Sequence, residues 1–136
     1  MKKTLILLIS LLCFSCQEAI TALKKDGFYN IKQLTKIPKQ IQFNVIAEHG
    51  ELPTGQTKFA GRFNENSVEF DNETYKTLGI YTEKKKDDDG VFDYLIVFTS
   101  QHIYLMRDAP INAMIYKYIL TVINIETSNT VTLDIK

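Results

Sequence analysis

Ser100, His102 and Asp108 are the first residues whose types could do chemistry together. A hydroxyl, an imidazole and a carboxylate are the parts of nucleophilic catalysis. The spacing argues against it. Residues two apart in an extended chain share a face without pointing at each other. No Gly-x-Ser-x-Gly elbow stands here to present the serine. Thr99-Ser100-Gln101-His102 therefore reads as a polar hairpin turn. His49 and His102 are the only imidazoles, and Glu48 and Glu51 are near the first. There is no His-Glu-x-x-His, so both are expected to be exposed loop histidines, and no metal or cofactor is expected. Asp87-Asp88-Asp89-Gly90 has the look of a calcium loop. In register with Gly90 the first ligand position falls on the cation Lys85 and the twelfth on Ile96. A solvated charged turn is expected instead.

Three residues are candidate ligand or partner contacts. Asp93 interrupts Val91-Phe92-Asp93-Tyr94-Leu95-Ile96-Val97-Phe98, the most apolar run of the chain. Burying it unpaired would be costly. Either its face is solvated near a strand start, or it lines a cavity or partner surface. Tyr94 and Tyr104 recur in β-rich runs, where a tyrosine on an outer face can bind sugar or peptide. The plainer reading is the rim of a core. No catalytic set emerges, and an enzyme is not expected.

The elements that must position these residues read as strands. Ile41, Phe43 and Val45 alternate with Gln42 and Asn44, the pattern of a half-buried strand. Gly61 suggests a bulge in the run that follows. Two β-rich runs flank the Asp-Gly turn before Val91, a hairpin signal. Val91 to Phe98, apolar on both faces save Asp93, reads as a central strand. Val131, Leu133 and Ile135 alternate at the end. Residues 109–125 fit two patterns: Ile111, Met114, Ile115, Tyr118, Ile119, Val122 and Ile123 have helical spacing, while β-branched density favours a strand. The fold expected is mainly β, an antiparallel sandwich or small barrel of about seven strands with a short N-terminal helix. The alternative is α+β with a helix near 109–125. Gln17 to Asp26 is the short helix, with Gly27 as its stop.

The N-terminus supplies an address. Met1-Lys2-Lys3 is basic, Leu5 to Leu12 is apolar, and Cys13-Phe14-Ser15-Cys16 follows. This is the layout of a secretory signal peptide, and its apolar run is well short of the ~20 residues that span a bilayer. The cleavage region resembles a bacterial lipobox, on Ser15 and Cys16. Leu12 stands one place earlier than the pattern prefers, and Phe14 fills a position usually small. The resemblance implies cleavage after Ser15, lipid on Cys16, and a place in the cell envelope. Gln17 rather than Asp after the cysteine implies outer-membrane delivery. Ordinary signal peptidase would cut at the same bond and leave Cys16 bare. The resulting plan is signal peptide 1–15, lipid-anchored tether and entry segment 16–35, and one β-rich domain 36–136.

Composition narrows the role. Removing residues 1–15 takes Lys2 and Lys3 and leaves a net charge of −2. Such an evenly mixed chain has no electrostatic footprint for nucleic acid. Cys16 is then the lone cysteine, so no internal disulfide can form. Stability must come from apolar burial. The expected function is a non-catalytic binding or interaction module, docking an envelope protein or polymer beside the membrane that holds its lipid. A small barrel for an apolar ligand, or an immunity or inhibitor protein, is the alternative.

Overall fold

Among the described residues ten strands pair into one antiparallel sheet, more than the roughly seven that alternation alone suggests. The computed structural model describes residues 21, 23–24, 27–34, 41–50, 52, 60–88, 90–113 and 115–136, with the side chains of 47–49 excepted. Ser15, Cys16 and the His49 side chain therefore lie outside the described residues. The strands are β1 (Lys32–Leu34), β2 (Ile41–His49), β3 (Ala60–Phe63), β4 (Ser67–Phe70), β5 (Glu73–Lys76), β6 (Gly79–Asp87), β7 (Gly90–Phe98), β8 (His102–Asp108), β9 (Tyr118–Asn124) and β10 (Thr130–Ile135). Their order across the sheet is β1-β6-β7-β8-β9-β10-β2-β3-β4-β5. Among the described residues no helix is long and apolar enough to cross a membrane.

The sheet is open at β1 and β5 and folds over itself. Phe63 of β3 and Phe70 of β4 lie against Tyr104 of β8, at ring-centroid distances of 5.8 and 5.3 Å. Strands four and five places apart in the order thus face each other across one core, as in a sandwich. That inner core takes alternate residues: Val97 from β7, Tyr104 and Met106 from β8, Leu120 and Val122 from β9, and Val131, Leu133 and Ile135 from β10. The intervening residues of β7 and β8 point outward, and they are apolar too. Tyr94, Ile96, Phe98, Ile103 and Leu105 form a second core with Leu23 and Phe28. A strand buried on both faces reads as a continuous apolar run, and β7 and β8 are central for that reason.

The second core exists because the N-terminal segment lies on the sheet. Phe28 N–H donates to the Leu23 carbonyl and Gly27 N–H to that of Lys24, both at 3.0 Å. Gly27 has φ +89°. This is a Schellman cap, and its usual apolar contact joins Leu23 to Phe28. Both side chains are buried, and β1 then pairs with β6. The described part of the expected tether, up to residue 34, is thus built into the fold.

Two expectations change. The helix alternative for 109–125 gives way to a loop, turning at Ile111 and Asn112, and then β9. β9 hydrogen-bonds to β8 and β10 on its two sides, and its β-branched residues suit that site. Gly61 makes no bulge: Phe43 and Gly61 are direct cross-strand partners. A methyl group on Gly61 would land on the Phe43 ring and the Glu69 carbonyl. Phe98 lies over its partner Gly79 in the same way. The glycines leave room for cross-strand rings. The register shift occurs instead at Asp134/Ile135, where β10 meets β2.

Candidate functional site

The residue that stands out chemically is His102, and its surroundings follow from the hairpin before it. Thr99 is fully buried, and its hydroxyl oxygen accepts from His102 N–H at 3.1 Å and Gln101 N–H at 3.3 Å. The turn that looked merely polar therefore pins the first residue of β8. His102 is 2% exposed, a correction to the expected loop histidine. Its imidazole is walled by aromatic rings, Tyr75 edge-on at 5.2 Å and Phe70 at 6.2 Å. Burial holds its pKa below the usual histidine value, against a weaker upward pull from Glu73. The ring is neutral at pH 7.

The tautomer follows from Tyr104. That phenol is fully buried, and its hydroxyl lies 3.5 Å from His102 Nδ1. A buried hydroxyl needs an acceptor. If the phenol donates to Nδ1, the ring proton sits on Nε2. Nε2 is buried and has no hydrogen-bond partner among the described residues. The ring lines a recess of about 500 Å³ at this end of the sheet, shared with Leu52, Val122, Asn124, Thr127, Asn129, Thr130 and Val131.

The rim is equally local in origin. Asn124 Oδ1 accepts from the N–H groups of Glu126 and Thr127, both at 3.0 Å, which closes the β9–β10 turn. Ser128 completes that turn at φ +62°. On the far side Gly50 has φ +108°, with its Cα close against Thr130 and Val131. Leu52 follows, buried against the recess. Among the described residues the lining is neutral: three apolar side chains, two amides, two hydroxyls and one uncharged imidazole. It can offer hydrogen bonds to a ligand.

A second polar cluster lies on the outer face at the opposite end of β8. Tyr81, Glu83, Lys85 and Asp87 alternate onto that face of β6. Asp87 accepts from the Tyr94 hydroxyl and pairs with Arg107 Nε at 3.3 Å and Lys85 Nζ at 3.4 Å. Arg107 stacks on Phe92 at 4.1 Å, and Lys85 sits over Phe28 at 4.7 Å. Burial first, then the bond to Asp87, drives the Tyr94 pKa far up. Asn30 N–H donates to Glu83 Oε1. This cluster fastens the N-terminal segment to the sheet; Asp87, Lys85 and Arg107 pair with one another, while Glu83 Oε2 is buried without a hydrogen-bond partner among the described residues.

The three contact candidates fall apart in space. Asp93 is exposed on β7. Tyr94, its neighbour, points to the other face and packs edge-on against Phe28 at 4.9 Å. Tyr104 is fully buried in the inner core, with its hydroxyl under the recess. Ser100 and Asp108 are both exposed, at opposite ends of β8 from each other, and His102 meets neither. Among the described residues no three metal-ligating side chains converge. Sequence reasoning missed the role of His102 because nothing local marks it. The one available signal was the apolar run Ile103 to Met106 beginning directly after it. No protein-family model, curated protein or solved structure matches the chain.

Proposed function

We propose that this chain is a lipid-anchored envelope protein whose β domain is a non-catalytic binding module. The His102 recess is its binding site, and the ligand is small, neutral and rich in acceptor oxygens, such as a sugar unit of an envelope polymer. The observation that carries this is the amide and hydroxyl lining of the recess, with the His102 ring in that lining and its Nε2 buried without a hydrogen-bond partner among the described residues. An unpaired buried donor costs about 1–3 kcal/mol, and a ligand oxygen that displaced the atoms covering it would recover that. The amide and hydroxyl rim suits the same chemistry. A charged ligand would find no counter-charge among the described lining residues. The recess volume falls within the range of small-molecule sites.

Binding is favoured over turnover because, among the described residues, no hydroxyl or carboxylate is hydrogen-bonded to His102 except the buried Tyr104 phenol, which belongs to the core. The side-chain-filled inner core weighs against a barrel holding an apolar ligand inside. Lipidation at Cys16 supplies the address, and it rests on the sequence of the cleavage region. The test is a titration with soluble peptidoglycan fragments and with neutral disaccharides, followed by NMR of the imidazole and amide nitrogens. Saturable shifts at His102 Nε2 and at the Asn124 and Asn129 amides are expected, and His102→Phe should abolish them. If no saccharide perturbs these signals in a folded wild-type protein, the recess is not the site.

A further inference from the structure

We propose that the end of the sheet opposite the recess rests in the surface of the bilayer, with the 109–117 loop inserted among the lipids. This goes beyond the recess, and it rests on the lipid anchor at Cys16 proposed above. Five large apolar side chains are exposed among the described residues: Tyr29, Leu78, Val91, Ile111 and Ile115. Val91, Ile111 and Ile115 belong to one end. Val91 follows the β6–β7 turn. Ile111 is fully exposed and Ile115 is 74% exposed, both in the loop joining β8 to β9. Pro110, Ala113 and Tyr116 add to the apolar character of the loop. Isolated surface apolar residues mean little, but a cluster confined to one end marks a contact.

The anchor chooses the occupant. Cys16 is five residues before Thr21, and five residues of chain span at most roughly 18 Å. Leu23 and Phe28 hold the following segment against the outer face of the sheet. A lipid on Cys16 therefore keeps the domain close to the bilayer. Charge does not attract this end to anionic lipid: exposed Lys84, Lys86 and Lys117 are balanced by exposed Asp88, Asp93 and Asp108. The contact is apolar insertion into a zwitterionic surface, with a tyrosine at the interface where such rings settle. Each buried isoleucine favours the lipid by roughly tenfold or more. That is weak for a free protein, and it becomes effective when a short tether raises the local concentration of lipid. β8 is about 20 Å long, so this pose turns the His102 recess away from the membrane.

The chain has no tryptophan, so one introduced indole reports alone. Lipidated I111W and S100W, purified from host membranes, are reconstituted into zwitterionic vesicles carrying brominated acyl chains. Both positions are exposed, and matching circular dichroism and melting curves check the fold. I115W is a second reporter of the loop. The proposal expects blue-shifted, quenched fluorescence from I111W and I115W, unchanged by salt, and none from S100W. If the protein stays with the vesicles and the loop reporters remain unquenched, the anchor stands and the insertion is overturned. If I111S/I115S instead converts a dimer to a monomer in detergent, the loop is a contact between two copies, which also overturns it. An N-terminus without lipid, seen by mass, removes the tether and overturns both readings together.

Discussion

Acid should weaken this protein through His102 in a way that another side chain at that position does not reproduce. The folded state holds the imidazole neutral, because burial among Phe70, Tyr75 and Tyr104 penalises the cation. The unfolded chain titrates it near pH 6.5. Below that pH the unfolded state binds one proton more, so stability falls as pH falls through 6.5 toward the lowered folded value. The slope limit for one proton is about 1.4 kcal/mol per pH unit. Integrated from about pH 7.5 to about pH 5.5, the loss is at most about 1.4 kcal/mol. Carboxylates titrate over part of this range, so the measurement is a difference. Urea unfolding of the wild type and His102→Gln at both pH values isolates the imidazole. The stability gap between them should shrink on acidification by up to that amount. A gap that stays constant, or an imidazole that titrates near 6.5 in the folded protein, would refute the reasoning.

Other perturbations test the packing. Gly61→Ala puts a methyl group into the Phe43 ring and should cost about 1–3 kcal/mol by overpacking, read as a lower urea midpoint. Phe28→Ala should cost about 3–5 kcal/mol, because the ring is 2% exposed in the second core; a loss below 1 kcal/mol would show that the segment is only loosely attached. Asp87→Asn leaves Arg107 and the Tyr94 hydroxyl with a weaker acceptor. A double-mutant cycle with Arg107→Met should give a coupling of about 0.5–3 kcal/mol, and an additive pair would mean the contact carries no energy.

The sequence made the β architecture legible wherever alternation was strict. Phe43 and Val45, and Val131, Leu133 and Ile135, all face the inner core as their spacing implies. The continuous run of β7 marked it as central. What stayed hidden were long-range facts. Three- and four-residue strands such as β1 and β5 carry too few residues to show a period. Gly61 reads as a bulge until its cross-strand neighbour is known to be Phe43. His102 reads as a turn residue because its burial comes from Phe70 and Tyr75, about thirty positions away. Asp87 reads as one more acid in a charged turn, since Arg107, its partner, is brought there only by pairing of β7 with β8. Local pattern speaks to which face a side chain takes, and not to what waits on that face.

The central claim is that this is an anchored binding domain, and the N-terminus tests it most directly. Intact mass of the mature protein from its own host, with membrane fractionation of Cys16→Ser beside it, decides the matter. The account predicts loss of residues 1–15, a diacylglyceryl adduct at Cys16, and release of the variant from the membrane. A bare Cys16 on a protein already soluble would contradict it.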